Sequence, residues 1–143
     1  MKQKPHWFYR QSGTIPFIRF GTAVHVYVVS SRKGTRWIFP KGIVEPGLTS
    51  IASAEKETYE EAGLVGTLWP EPVGAYQYRK WGGWCSVEVF AMEVKDALHH
   101  WPEDSFRGRA LLDLREAQRA IQDHGLIDVF SMFIDRLEKD TPP

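Results

Sequence analysis

Alternating apolar and polar residues predict several β-strands along the chain. The clearest is the run 17–31, which alternates and is rich in Val and Tyr, so it predicts one or two strands. Further strands are predicted at 36–39, 73–78 and 85–94, the last with the alternating sequence CSVEVFAMEV. Residues 1–14 show no periodicity and are expected to form an N-terminal arm.

Helical spacing follows in the middle and at the C-terminal end. Thr49 or Ser50 is a suitable N-cap for a helix that runs through Ala62, and Gly63 suits the position just past its end. Two more helices are predicted where apolar residues recur every three to four positions, at 114–122 and 125–138. Strands mixed with a central and a C-terminal helix predict an α/β fold in which a mixed sheet lies between helices.

The segments between these elements are expected to be irregular. Residues 40–48 contain two Pro and two Gly and are predicted to form a loop, and 79–84 is rich in turn residues. Residues 95–109 show no clear period. A chain of 143 residues without internal repeats is expected to form a single domain, 1–143.

Composition and charge narrow the function only slightly. Lys plus Arg equals Asp plus Glu at 18 each, so overall charge gives no reason to expect nucleic acid or an anionic membrane as a partner. The single cysteine, Cys85, excludes an intramolecular disulfide and a Cys-rich zinc site. The N-terminus lacks the apolar segment of a signal peptide and no apolar run is long enough to span a bilayer, so a cytoplasmic location is expected. The oligomeric state stays open.

Three acids, Glu57, Glu60 and Glu61, lie close together near the end of the predicted central helix. Their spacing places them on one arc of the helix, and like charges at i and i+4 cost a few tenths of a kcal/mol. Each carboxylate near the negative end of the helix dipole costs roughly 0.3–1 kcal/mol more. A divalent cation would reverse both effects, and carboxylate oxygens suit Mg²⁺ or Mn²⁺ better than Zn²⁺. The alternative is a solvated acidic face, on which water and salt weaken these penalties.

The run Gly42–Leu64, GIVEPGLTSIASAEKETYEEAGL, decides between these interpretations, because it resembles the Nudix box G-x5-E-x7-R-E-U-x-E-E-x-G-U. Six positions match at the correct spacing: Gly42, Glu57, Glu60, Glu61, Gly63 and Leu64. Three depart from it, because Leu48 replaces the first Glu, Lys56 replaces Arg and Thr58 replaces an aliphatic residue. The missing Glu matters most, since its pairing with the basic residue helps to orient the acids. Lys56 is expected to pair with Glu45 or Glu60 instead.

The resemblance covers roughly 15–137, including WIFPKG before the box, and is greatest to the branch with diphosphoinositol polyphosphate and diadenosine polyphosphate hydrolases. It implies a Nudix α/β/α sandwich that hydrolyses a diphosphate linkage in a small-molecule substrate with Mg²⁺ or Mn²⁺. The implied metal ligands are Gly42, Glu57, Glu60 and Glu61, of which the three acids are also the catalytic candidates. The alternative is a Nudix-fold module that binds a nucleotide or phosphorylated metabolite without cleaving it, which Leu48 and Lys56 favour.

A polyphosphate substrate also requires cations from the protein. The basic candidates in turns or at strand ends are Arg32, Arg36, Lys41, Arg79 and Lys80. Arg19, Arg107 and Arg109 are weaker candidates, and any of these side chains has simple solvation as its alternative. Trp81 and Trp84 flank a Gly-Gly pair and are predicted to stack on a nucleobase, or alternatively to be packed or to be exposed at a hairpin tip.

Overall fold

An eight-stranded mixed sheet lies at the centre of the computed structural model, which describes residues 3–140. The strands are β1 (Arg10–Phe20), β2 (Ala23–Ser30), β3 (Trp37–Ile38), β4 (Lys41–Ile43), β5 (Leu64–Leu68), β6 (Gly74–Lys80), β7 (Gly83–Ala97) and β8 (Arg109–Asp113). The helices are a short 3₁₀ helix (His6–Tyr9), α1 (Ser50–Ala62), α2 (Leu114–Ala120) and α3 (His124–Asp140). None of the described helices is long and apolar enough to cross a lipid bilayer.

The sheet is mixed because its two long central strands, β1 and β7, run parallel while their other pairings are antiparallel. The parallel ladder joins Arg10–Phe17 to Ser86–Glu93. On its other edge β1 pairs with β4 near its start and with β2 near its end. The first half of β1 therefore holds β4, the strand that carries Gly42, in the sheet.

Helices cover both faces of this sheet, as the alternation of side chains along β1 shows. Phe17 is fully buried and lies 5.4 Å, ring to ring, from Phe133 of α3. Ser12 and Thr14 lie on the opposite face of β1 and contact α1 through their hydroxyl groups. Ser12 Oγ donates to the Ser50 carbonyl at 2.7 Å, and the Thr14 and Thr58 hydroxyls lie 2.7 Å apart. The predicted α/β/α sandwich is confirmed.

The predicted N-terminal arm, 1–14, is wrong over most of its length; residues 1–2 lie outside the described part. A 3₁₀ helix occupies His6–Tyr9, and residues 10–14 begin the central strand β1. Gln11, Ser12 and Thr14 are buried there. These buried positions are polar, so the start of β1 shows no alternation of apolar and polar residues. The sequence therefore showed no sign of a strand there.

Other differences concern short strands and strand ends. The predicted loop 40–48 contains β4, and the segment 95–109 contains the end of β7 and the start of β8. The strands β6 and β7 extend through most of 79–84 and leave a turn at residues 81–82. By contrast, α1 has the predicted bounds, because the Thr49 side chain accepts a hydrogen bond from Ala52 N and Gly63 adopts the left-handed conformation (φ 65°).

Candidate active site

An open cleft of about 470 Å³ lies where β4, the second half of α1 and the β6–β7 hairpin meet. Acidic and basic side chains both line it. The acids are Glu45, Glu57, Glu61 and Glu103. The basic residues are Arg32, Arg36, Lys41, Lys80 and Arg107. A site with both kinds of charge can bind a polyanion through its basic residues and an accompanying cation through its acids.

Glu57 lies directly against the backbone of β4. A Cβ atom added to Gly42 would be 2.2 Å from the Glu57 carboxyl carbon and 2.6 Å from each carboxylate oxygen. Only glycine leaves room for the Glu57 carboxylate to come this close, which explains why glycine is required at the first position of the box. The Glu57 side chain is 16% exposed, and its burial, together with the charge of Glu60, raises its pKa to about 7.

Glu61 is the more deeply buried acid, and two contacts hold its carboxylate. The Lys41 backbone N–H donates to Oε1 at 3.2 Å, and the guanidinium of Arg107 lies 3.8 Å from Oε2. Burial nevertheless raises the pKa of Glu61 to about 8, because these contacts only partly compensate for the loss of water.

Glu60, the third acid, points elsewhere. Its carboxylate accepts a hydrogen bond from Lys56 Nζ at 2.8 Å, whereas Lys56 lies 4.0 Å from Glu57. Glu60 is absent from the cleft lining, and no group of three or more His, Cys, Asp or Glu side chains among residues 3–140 is arranged to hold a metal ion. Glu45 and Glu60 were the two partners expected for Lys56, and in the structure Lys56 pairs with Glu60. The structure therefore gathers Glu57 and Glu61, and not the complete predicted trio.

The two gathered carboxylates still fit a hard divalent cation. Mg²⁺ is usually bound through one or two carboxylates, substrate phosphates and several waters, so a third acid is not required. The raised pKa values of Glu57 and Glu61 also show that these buried groups lack sufficient positive charge nearby. A bound cation would supply it.

The end of α1 is stabilised by residues distant in sequence. The helix has no basic residue in its last turn, but the Arg109 guanidinium donates to the Ala62 carbonyl at 2.7 Å. The Trp101 indole N–H donates to the Glu61 carbonyl at 2.9 Å. Because two donors, one of them a cation, meet carbonyls at this helix end, part of the cost of placing acids there is offset.

Four of the five predicted phosphate-binding residues line the cleft, and Lys41 has the most defined position. Its Nζ donates to the Tyr78 hydroxyl at 2.9 Å and to Gln11 Oε1 at 3.3 Å. Burial and the charge of Lys80 lower its pKa. Arg32 and Arg36 are exposed on the rim, where the Arg32 guanidinium lies over the Phe106 ring, 4.9 Å from its centroid.

Arg79 is the predicted residue that does not line this cleft. Its guanidinium lies over the exposed Trp84 ring, 5.0 Å from the centroid. Side chains alternate along β6, so Arg79 and Lys80 point to opposite faces of the hairpin.

Sequence reasoning underrated Arg107. It is 8% exposed, donates to Glu103 Oε1 at 2.8 Å and to the Ser30 carbonyl at 2.9 Å, and approaches Glu61. It thus joins α1 to the end of β2 and supplies a fixed positive charge beside Glu61. The spacing of four residues between Glu103 and Arg107 could have indicated an ion pair. It was not informative on its own, because this segment shows no helical periodicity of apolar residues.

The N-terminal residues Phe8 and Tyr9 pack against Trp81, which lines the cleft. The Tyr9 hydroxyl donates to the Trp81 carbonyl at 2.7 Å, and the rings of Phe8 and Tyr9 meet Trp81 edge-on. Among the described residues, Trp81 is the one non-glycine with positive φ (53°). The Lys80 ammonium lies 4.5 Å from the Trp81 ring centroid. Trp81 packs against Phe8 and Tyr9, which is one of the predicted alternatives, whereas Trp84 is exposed, which is another. Lys80 lies beside Trp81 and lines the cleft.

Comparison with known proteins assigns this arrangement to a family. The family model for the NUDIX domain matches residues 13–131. The chain belongs to the Nudix family. Nudix hydrolase 13, mitochondrial, from Arabidopsis thaliana is 34% identical over 110 residues, which cover 70% of this chain and 54% of that protein. Diphosphoinositol polyphosphate phosphohydrolase 3-alpha from Mus musculus is 33% identical over 122 residues, which cover 81% of this chain and 70% of that protein.

The solved structures support the Nudix fold. The crystal structure of a C. elegans Ap4A hydrolase binary complex superimposes with a TM-score of 0.77 and covers 92% of this chain and 98% of that one, at 19% identity. This Nudix chain spans about half the length of the first curated relatives that it matches. Several of those relatives are described as mitochondrial, so the cytoplasmic location expected from the sequence stays a prediction.

Proposed function

We propose that this Nudix protein hydrolyses a diphosphate linkage in a nucleoside diphosphate derivative, dinucleoside polyphosphate or inositol pyrophosphate, with Mg²⁺ or Mn²⁺. The observation that carries the proposal is the contact between Gly42 and Glu57 beside buried Glu61, in a cleft also lined by five basic residues. The names of the related hydrolases agree with this reaction class.

Glu57 and Glu61 would hold the metal, with the Gly42 carbonyl as a further ligand by resemblance to the family. When bound, the metal would act as a Lewis acid and lower the pKa of bound water. Lys41, Lys80 and the two rim arginines, Arg32 and Arg36, would bind and orient the phosphates. Arg107, 3.8 Å from the Glu61 carboxylate, would help to orient it.

We propose that an acid of the same cleft acts as the general base and accepts the proton of the attacking water. Glu57, Glu61 and Glu103 all line it, whereas Glu60 would first have to leave Lys56. We therefore place Glu60 at the edge of the site and propose that it joins the metal shell only if its ion pair breaks.

The test is turnover across a panel of these three substrate classes with metal titration. We expect product release that depends on Mg²⁺ or Mn²⁺ and stops in EDTA. Glu57→Gln and Glu61→Gln should each abolish most turnover with a normal melting temperature. Undiminished turnover in the double variant or in EDTA would refute the proposal.

The second candidate function is ligand binding without cleavage. The observation that favours it is the 2.8 Å pair between Lys56 and Glu60, which removes one of the three acids from the cleft. Tight binding by calorimetry without product, over the same panel and several metals, would support this function. Release of either product with any metal would exclude it.

A further inference from the structure

One segment, 98–109, supplies hydrogen-bond donors to the whole C-terminal end of α1. The last four carbonyls of a helix have no partner inside it, and in α1 these belong to residues 60–63. Each of them accepts from the segment: Glu60 from Glu103 N at 3.1 Å, Glu61 from the Trp101 indole at 2.9 Å, Ala62 from Arg109 at 2.7 Å and Gly63 from Leu98 N at 2.9 Å. The segment is therefore attached to the helix turn that carries Glu60 and Glu61.

Trp101 packs directly on this helix end as well as bonding to it. A Cβ atom added to Gly63 would lie 2.8 Å from three side-chain atoms of Trp101, so only glycine leaves room for the Trp101 side chain. The Arg109 guanidinium lies 4.4 Å from the centroid of the Trp101 ring and also donates to the Leu98 carbonyl at 2.9 Å. The Trp101 side chain thus contacts both Gly63 and Arg109, and its one N–H is used on Glu61.

The same segment carries two charged residues of the cleft, Glu103 and Arg107. Arg107 donates to Glu103 Oε1 at 2.8 Å and lies 3.8 Å from Glu61 Oε2. Near its other end the segment is attached to β2, because Ser30 N donates to the Gly108 carbonyl at 2.9 Å and Gly108 N donates to Ser30 Oγ at 2.8 Å. Glu103 therefore lies between an attachment to α1 and an attachment to β2.

We propose that Trp101 is a positioning residue, which sets the place of the Glu103 carboxylate beside Glu61 in the cleft. The inference rests on the proposed function, in which an acid of the cleft accepts the proton of the attacking water. Trp101 is not part of the cleft lining, so it acts only through the residues that it holds. Its indole binds the Glu61 carbonyl, and its backbone leads within two residues to Glu103. Because a misplacement of about 1 Å costs roughly 10²-fold in rate, this attachment affects the reaction without contacting substrate.

The first test is the kinetics of Trp101→Phe. This variant keeps an aromatic ring beside Gly63 but removes the indole N–H, so the Glu61 carbonyl loses its donor. The matched control is Thr49→Ala, which removes the N-cap bond to Ala52 N and so weakens the same helix at its other end. We expect kcat to fall about tenfold or more in Trp101→Phe, with KM within twofold of wild type. Thr49→Ala should keep the wild-type kcat at a temperature at which both variants are folded.

Three kinetic results would overturn the proposal. They are a wild-type kcat in Trp101→Phe, a change confined to KM, and an equal fall of kcat in Thr49→Ala, which would show that only the stability of α1 matters. If Trp101→Phe does not fold, Arg109→Lys tests the same attachment, since a single ammonium replaces the planar group that reaches the Ala62 and Leu98 carbonyls. It should show the same fall in kcat at unchanged KM, and a wild-type kcat would count against the proposal in the same way.

Hydrogen exchange in metal-free protein separates this inference from the proposed function. The amides of Leu98 and Glu103 donate to α1, so in Trp101→Phe they should exchange about tenfold or more faster than in wild type. The Trp69 amide, which donates to the Ala91 carbonyl in the sheet, should keep its rate. If the wild type shows no turnover, the proposed function fails, and faster exchange confined to Leu98 and Glu103 still supports the attachment through Trp101. Unchanged exchange at both amides overturns the inference, whatever the turnover.

Discussion

Gly42→Ala provides a direct test of the site, because it adds one methyl group at the contact between β4 and Glu57. The new Cβ would lie 2.2 Å from the Glu57 carboxyl carbon, whereas ordinary contact begins at 3.4 Å. The carboxylate must therefore move by about 1.2 Å or the strand must shift by a similar distance.

The two possible costs differ in size. The displaced group is the end of a flexible side chain beside an open cleft, so the fold should lose at most about 1–3 kcal/mol, the range for overpacking. A displacement of about 1 Å in a reacting group costs roughly 10²-fold in rate. Activity should therefore fall far more than stability.

The assay is kcat/KM at saturating Mg²⁺ together with urea unfolding. Gly108→Ala is the matched control, since its built Cβ meets nothing closer than 3.9 Å and its φ is not positive. We expect a loss of roughly 10²-fold for Gly42→Ala and nearly wild-type activity for the control. Wild-type activity in folded Gly42→Ala would refute the placement of Glu57 in the reaction.

Three further predictions follow from the contacts described above. In metal-free protein the pKa values of Glu57 and Glu61 are raised to about 7 and about 8. Because both groups bind their protons more tightly in the folded state than in the unfolded state, the unfolding free energy should fall as pH rises from about 5 to about 9. The expected fall is on the order of a few kcal/mol. Urea denaturation checks this: Glu61→Gln should flatten the slope, and an unchanged slope would contradict the assignment. Tyr9→Phe removes the hydrogen bond to the Trp81 carbonyl and an exposed one from Lys4 N, so it should cost about 1 kcal/mol of stability. It should also raise KM several-fold with little change in kcat, and an unaltered KM would show that the contact with Trp81 does not position the cleft. Lys41→Met should raise KM for diphosphate substrates by about tenfold or more, and binding equal to wild type in calorimetry would remove Lys41 from phosphate recognition.

The sequence predicted the parts of the fold whose signal is local. Helix α1 was predicted with its correct ends, because Thr49 caps it through its own side chain and Gly63 ends it in the left-handed conformation. The start of β1 was missed because Ser12 and Thr14 are buried through hydroxyl contacts with α1, which leave no apolar pattern.

The geometry of the candidate site follows the sequence prediction where the motif fixes spacing, and departs from it where charge partners come from elsewhere in the chain. Glu57 and Glu61 face the cleft with Gly42, as the box implies. Sequence could not decide the direction of Glu60, because Lys56 one turn away competes for it. Nor could it rank Arg107 above the other basic residues, since its burial depends on tertiary contacts with β2 and α1.

The parallel ladder between β1 and β7 also affects how the protein is made. Arg10 pairs with Ser86, so the long segment between them must be synthesised before the central strand finds this neighbour. Until then β1 has an unpaired edge of backbone groups, and such edges favour intermolecular pairing. The strand that later supports β4 and Gly42 therefore exposes an edge to other chains until β7 has been made.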